Sequence, residues 1–351
     1  MSENLILKGL FVDPQNLHGN CAGLPFPFPL WFLGLTLSKR CNYHCRYCAQ
    51  DGGKRAAREL DQKTLCDLIH QAKDLGAKSV VLAGAGEPLL DPAFPAVIER
   101  AAALGLTTVL YSNGSRITRD LARFLYAHDV SVCLKLDTLD EISFNWLTDT
   151  NNAFQRTMRG LENLLAVGYG EQETVVGGYR LVRLAINAVV TRSNLSDLPN
   201  LAVYCAKQGI KLFLDNLSLA GRAVLHWKEL ITTPEEYVKL CEEINSRLGY
   251  AAVGHSLDRA DACILWKYGI VIYLDGEARI CYDDPPVPRI GSIYEHSLAK
   301  LVHTKQTLHP PKQSFGDCPL KCLLRERLWK KEGSKLSPSE AIAYFGSLAH
   351  I

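Results

Sequence analysis

The chain has 351 residues, 47% of them apolar, enough to bury a barrel-sized core beside a smaller domain and too many for a disordered or low-complexity protein. Its 39 basic and 37 acidic residues leave a formal charge of +2, so no bulk field draws it to nucleic acid. The densest basic stretch, Arg325 to Lys335, is interrupted by Glu326 and Glu332 and reads as a solvated helix face.

Residues 1–29 read as an N-terminal extension. Their start, MSENLILKGLF, lacks a charged start followed by the uninterrupted apolar segment of a secretory signal. The next apolar stretch, PFPFPLWFLGLTL, is broken by Pro25, Pro27 and Pro29 and is too short to span a bilayer. A cytoplasmic protein without membrane attachment is expected. There, twelve cysteines argue for metal or cluster ligation over disulfides.

From Leu30 to about Leu248, β-rich runs alternate with amphipathic helices six times. The first strand, Leu30 to Leu37, leads into a loop with Cys41, Cys45 and Cys48 at C-x3-C-x2-C spacing. Asp61 then caps a helix whose apolar face is Leu65, Leu68, Ile69, Ala72 and Leu75, ended by Gly76. Strand Ser79 to Ala83 precedes a helix opened by Asp91-Pro92 and closed at Gly105. Thr107 to Tyr111 pairs with helix Thr118 to His128, and Val130 to Lys135 with Ala153 to Val167. The fifth unit is strand Leu181 to Val190 with helix Leu195 to Gln208; the sixth is Lys211 to Asp215 with a helix from about Pro234.

Such alternation predicts a parallel sheet with right-handed crossovers and a site at the C-terminal strand ends. Six units are too few for a closed eight-fold barrel. They suit an α/β fold in the form of an open (β/α)6 partial TIM barrel over residues 30–250. A doubly wound sheet is the alternative. Its phosphate-binding turn would be Gly84-Ala85-Gly86, but Glu87-Pro88 follows, and a carboxylate there would repel a pyrophosphate.

Residues 251–351 read as a small C-terminal hairpin-plus-helix, cluster-binding domain and tail. YGIVIYLDGEARIC forms two strands joined at Asp275-Gly276, with Cys281 ending the second. Cys263, Cys281, Cys318 and Cys322 are a four-thiolate set for either an iron–sulfur cluster or structural zinc. The remaining cysteines, Cys21, Cys66, Cys133, Cys205 and Cys241, read mostly as buried small hydrophobes, one of which could donate a hydrogen atom. No catalytic residue is assigned.

The first cysteine loop carries the most chemistry. Three bunched thiolates can hold three irons of a four-iron cluster and leave the fourth open, whereas structural zinc wants four closed ligands. A zinc knuckle completed by His44 or a distant cysteine is the competing reading. The spacing, Tyr47 and the strand leading in resemble the radical S-adenosylmethionine (radical SAM) enzymes. So does GAGEP at Gly84 to Pro88, with Ala85 replacing one glycine of the Gly-Gly-Glu-Pro motif, and so does LSLAGRA around Arg222. The spacing from Cys263 through Gly276 to Cys281, with RIGSIYEHSLAKL after it, is similar to the SPASM domain. Four cysteines match its shortened, twitch form.

The resemblance implies a [4Fe-4S] cluster on Cys41, Cys45 and Cys48, whose open iron chelates S-adenosyl-L-methionine, and one auxiliary [4Fe-4S] cluster. Tyr47 and the strand-end residues Gly84, Gly86, Glu87, Asn113, Lys135, Asp137 and Asn187 are the implied cofactor contacts, with Arg222 pairing a carboxylate of cofactor or substrate. It further implies an external electron donor of flavodoxin or ferredoxin type and a 5′-deoxyadenosyl radical that abstracts hydrogen. The expected substrate is a small polar molecule, such as a sugar, aminocyclitol or nucleoside, oxidised by two electrons with the auxiliary cluster as acceptor. Peptide crosslinking or epimerisation is the alternative, disfavoured because only about 30 residues precede the barrel. A redox-neutral epimerase or dehydratase is another. Molybdenum-cofactor synthesis is disfavoured by the ending SLAHI, which is not a diglycine tail.

Overall fold

The structure is a computed structural model that describes residues 5–10, 30–53, 56–171, 174–176, 179–250, 268–282 and 289–307. After a short strand β1 (Leu5–Leu7), the six expected units follow one another. They are β2 (Phe32–Leu35) and α1 (Gln62–Asp74), β3 (Ser79–Leu82) and α2 (Phe94–Ala103), β4 (Thr107–Ser112) and α3 (Arg119–Ala127). Next come β5 (Val130–Lys135) with α4 (Glu141–Thr148) and α5 (Ala153–Leu165), then a pair of strands, β6 (Thr174–Val176) and β7 (Tyr179–Val182). The last two units are β8 (Leu184–Val190) with α6 (Leu198–Gln208), and β9 (Lys211–Asn216) with α7 (Trp227–Leu230) and α8 (Pro234–Leu248). The C-terminal part adds β10 (Gly269–Ile272), β11 (Glu277–Arg279), β12 (Arg289–Ser292) and α9 (Leu298–Gln306).

One nine-stranded sheet runs in the order β12-β11-β10-β2-β3-β4-β5-β8-β9, parallel from β10 through β9. Both faces of its central strands are covered, which is why SVVL and VSVCL read as nearly continuous apolar runs, with Ser79 and Ser131 buried among them. One face, with Leu33, Val80, Leu82, Leu110, Val132 and Ile186, packs beneath the helices. The other turns Phe32, Val81, Val109, Cys133 and Ala185 inward. Capping follows local chemistry: Asp61 Oδ1 accepts from Thr64 N at 2.7 Å, and Thr233 with Glu236 forms a capping box at the start of α8.

Three departures from the sequence reading have physical causes. The fifth run, Leu181 to Val190, is broken at Arg183, 5% exposed, whose guanidinium donates to the carbonyls of Tyr126 and Val130 and lies over the Tyr126 ring. The segment before the break, β7, leaves the barrel to pair with β1 and β6 in a separate three-stranded sheet. The second is α4, a short helix capped by Asp140 between the fourth strand and its expected helix. The third is the seat of the C-terminal hairpin. Its strand β10 pairs in parallel with β2, Phe32 facing Gly269, so the hairpin continues the barrel sheet.

The N-terminal strand ends are closed by β1 and the turn after it. Leu7 packs with Val109 and Cys133 inside the sheet, Ser79 Oγ donates to Gly9 O at 2.7 Å, and Lys8 pairs with Asp129 at 2.7 Å. Among the described residues no helix is long and apolar enough to cross a membrane.

Candidate active site

The loop from Lys39 to Gly53 lies across the C-terminal end of the sheet and is held from four sides, on three of them by its own backbone. His44 N and Arg46 N donate to the carbonyls of Thr148 and Leu147 at the end of α4, at 3.1 and 2.8 Å. Glu87 N donates to Arg40 O at 2.8 Å and Arg222 N to Cys48 O at 2.9 Å. On the fourth side Gln50 Nε2 donates to Tyr282 O at 2.5 Å, tying the loop to the C-terminal hairpin. Two glycines permit this closeness. A Cβ on Gly86 would stand 2.2 Å from Arg40 O, and one on Gly221, at φ +54°, 2.6 Å from Cys48 O.

Cys41, Cys45 and Cys48 are all partly buried, and near enough that Cys48 disfavours ionisation of Cys41 and Cys45, as Cys41 does that of Cys45. Burial pushes the Cys41 thiol up to about 11, with the Glu87 carboxylate adding to the shift and the Arg222 cation opposing it. Cys45 is raised further, again by burial first. Without a metal the Cys41 and Cys45 thiols stay protonated at neutral pH, so their deprotonation must accompany ligation.

The strand-end residues build two networks beneath the loop. Glu87, 2% exposed, accepts from Ser112 Oγ (2.8 Å), Asn113 N (2.8 Å) and Leu89 N (3.1 Å). Its carboxylate therefore faces the wall between β3 and β4 and fixes the turn that presents Asn113. The Asn113 amide in turn donates to Asn42 Oδ1 at 2.9 Å and accepts from Ser115, while Asn42 Nδ2 donates to Ser115 Oγ. Burial raises the Glu87 carboxyl above its usual range, and the three donors pull it back.

The second network runs from the cysteine loop along β5, β8 and β9. Tyr47 OH donates to Asp137 Oδ2 at 2.5 Å, and Asp137, fully buried, also accepts from Val189 N at 2.8 Å. Lys135 Nζ donates to Asn187 Oδ1 at 2.7 Å and lies 3.5 Å from Asp137, and Asn187 Nδ2 donates to Asp215 Oδ2 at 2.8 Å. Below them, Tyr111, Phe213 and Tyr282 are partly buried and line the inward face.

The structure thus brings Tyr47, Gly84, Gly86, Glu87, Asn113, Lys135, Asp137, Asn187 and Arg222 to one end of the sheet, around Cys41, Cys45 and Cys48. Cys281 lies two residues past β11, and Cys263, Cys318 and Cys322 lie outside the described residues. The sequence reading missed Gln50, Asn42 and Tyr282. The signal for Tyr282 was Gly34, a glycine inside the apolar strand FLGL. A Cβ there would meet the Tyr282 hydroxyl at 2.6 Å, and Tyr282 OH donates to Val81 O at 2.7 Å across that gap.

Residues 35–180 match the family described as the radical SAM superfamily. The mycofactocin maturase MftC of Mycolicibacterium smegmatis is 30% identical over 273 residues, covering 77% of this chain and 64% of the relative. That of Mycobacterium tuberculosis H37Rv is 28% identical over 212 residues, covering 60% and 51%. The GTP 3′,8-cyclase of Haemophilus influenzae (strain 86-028NP) is 32% identical over 152 residues, covering 42% and 44%. The chain therefore spans between 44% and 64% of the length of these relatives. Among solved structures, Streptococcus suis SuiB bound to S-adenosylmethionine shares the fold at TM-score 0.64 and 19% identity, covering 89% of this chain and 75% of that chain. The structure of anSMEcpe with bound AdoMet and Cp18Cys peptide does so at TM-score 0.59 and 16% identity, covering 91% and 99%. The matched segment, residues 35–180, holds the cysteine loop and the strands beneath it, and is a domain of the radical SAM superfamily, whose cofactors are S-adenosylmethionine and a [4Fe-4S] cluster.

Proposed function

We propose that Cys41, Cys45 and Cys48 hold the [4Fe-4S] cluster at the open end of the barrel and that the protein abstracts a hydrogen atom from a peptide substrate. The observation that carries the chemistry is the loop itself: three partly buried thiols pinned by backbone hydrogen bonds over the C-terminal strand ends. The donor set fits a cluster. Among the described residues no three His, Cys, Asp or Glu side chains are grouped as ligands of one metal ion. A four-iron cluster asks for less, since each thiolate binds a separate iron. When bound, the cluster supplies the electron that cleaves S-adenosylmethionine and so starts hydrogen abstraction.

The chain's own residues supply position and exclusion. Glu87 holds the turn that carries Asn113, leaving that side chain with Asn42 and Ser115 at the mouth. Asp137 takes the Tyr47 hydroxyl and anchors the end of the cysteine loop to β8. Gly84, Gly86, Asn113, Lys135 and Asn187 line the end where the cofactor would bind, and Tyr111, Phe213 and Tyr282 keep the space below it apolar. Cys263, Cys281, Cys318 and Cys322 are proposed to hold an auxiliary [4Fe-4S] cluster, and a ferredoxin or flavodoxin to supply electrons.

A peptide substrate is favoured over the sugar or aminocyclitol expected from sequence, on the match to a maturase over 77% of the chain and the fold shared with SuiB, which binds precursor peptide SuiA. The GTP 3′,8-cyclase match favours a nucleotide as the second reading. Anaerobic reconstitution tests the chemistry. We expect about eight irons per chain and slow 5′-deoxyadenosine release, with Cys45→Ala losing about four irons and the release together. A Cys45→Ala protein that still cleaved S-adenosylmethionine would sink the ligand assignment. Binding of a peptide encoded beside the gene, set against GTP, separates the two substrate readings.

A further inference from the structure

Arg222 was expected to meet a carboxylate of cofactor or substrate, yet its donors go elsewhere. Its Nε donates to Cys45 O at 3.1 Å, and one terminal nitrogen donates to Gly52 O at 2.7 Å and to Asp51 Oδ1 at 2.9 Å. Its backbone N–H takes Cys48 O, and the neighbouring Gly221 gives up a side chain so that the turn can press on Cys48 and Ala49. The guanidinium is thus wrapped by the cysteine loop, its side chain 18% exposed. Few charges stand near it. Asp51 pairs with it but is 62% exposed, Glu87 faces Cys41 from the wall, Asp137 lies beside Cys45, and Lys135 sits over the Tyr47 ring at 5.3 Å.

We propose that Arg222 is a positioning residue for the cysteine loop whose fixed positive charge makes the cluster held there easier to reduce. The proposal rests on the assignment of Cys41, Cys45 and Cys48 as ligands. Reduction adds one electron from an external donor to the cluster and breaks no bond, so the site gains one negative charge. A cation held within the ligand loop stabilises that charge more than an exposed one would, because burial weakens solvent screening. Charge and hydrogen bonds near the sulfurs are established levers on cluster potential. Arg222 supplies the charge, and its hydrogen bonds, from the guanidinium to Cys45 O and from the backbone N–H to Cys48 O, fix that charge within the ligand loop. Asp51 works against it by neutralising part of the charge from the solvent side.

The test is a dithionite titration of the reconstituted full chain, followed by the electron paramagnetic resonance signal that S-adenosylmethionine perturbs and Cys45→Ala lacks. Arg222→Gln is expected to lower the reduced-to-oxidised ratio at a fixed potential about tenfold, equivalent to about 59 mV for one electron. Arg222→Lys, which keeps the charge, should stay within about threefold of wild type. Asp51→Asn should move the ratio the other way, raising it about threefold, and being at an exposed position it reports even where Arg222→Gln fails to retain iron. Equal shifts in Arg222→Gln and Arg222→Lys would overturn the charge argument, as would an Asp51→Asn protein that reduces no more readily than wild type. A Cys45→Ala protein that keeps the S-adenosylmethionine-responsive signal removes the ligand assignment first, and the proposal with it.

Discussion

Glu87 shows how one residue type serves two ends. The carboxylate is 2% exposed, and burial raises its pKa from the ordinary 4.5 despite three donors. The native state therefore holds this proton more tightly than the unfolded chain, and the ionised form weighs against the fold. That penalty is absent below pH 4.5, where both states are protonated, and grows as pH rises through the higher native value. Glu87→Gln should remove this slope, giving a melting temperature that varies less with pH than wild type over the same window. It should also lower stability throughout by about 1–3 kcal/mol, because one of the Ser112 and Asn113 donors then faces an amide nitrogen. Thermal unfolding from pH 4 to 8 reads both effects. The Gly-Glu-Pro turn was legible because its residues are contiguous. That the carboxylate would turn into the wall was not, since its partners Ser112 and Asn113 come from the next strand, 25 and 26 residues on. Arg222 was harder still, being 177 residues from the carbonyl of Cys45.

Among elements, β2 does the most. It feeds the cysteine loop, pairs with β3 on one side and β10 on the other, and leaves a hole at Gly34 that the Tyr282 ring enters. Gly34→Ala would place a methyl 2.6 Å from the Tyr282 hydroxyl and 2.9 Å from Val271 Cγ2. Displacing the ring also strains the Gln50 contact to Tyr282 O. We expect a loss of about 1–3 kcal/mol in chemical denaturation, the usual cost of overpacking a filled site, with weaker cluster retention. The six barrel strands were legible from their apolar runs, and the Asp275-Gly276 turn from its two-residue hairpin chemistry. The pairing of β10 with β2 was not. Parallel partners share no turn, and both GIVI and FLGL are apolar throughout, so neither sequence states which edge it will join.

For the molecule as a whole, the hairpin completes the sheet of the barrel instead of standing apart. A chain ending at residue 250 would leave β2 as an open edge beside Phe32, Leu33 and Leu35, all buried in the full sheet. Exposed apolar edges template association. Such a truncation should therefore aggregate on expression where the full chain stays monodisperse by gel filtration, whether or not iron is supplied. The six-unit architecture followed from strict alternation. The small sheet of β1, β6 and β7 did not, because strands of three or four residues carry too little pattern to read.

That small sheet decides how the interior can be reached. With β1 seated across the N-terminal strand ends and Leu7 in one apolar cluster with Val109 and Cys133, the described residues cover that end of the sheet and leave the C-terminal end, under the cysteine loop, as the approach. A polymeric substrate would have to offer a terminus, a single side chain or the tip of a bend, and withdraw by the path it entered. How far such a guest reaches before it meets Tyr111 and Tyr282 on the inward face would then select which carbon comes to rest beneath the cysteine loop.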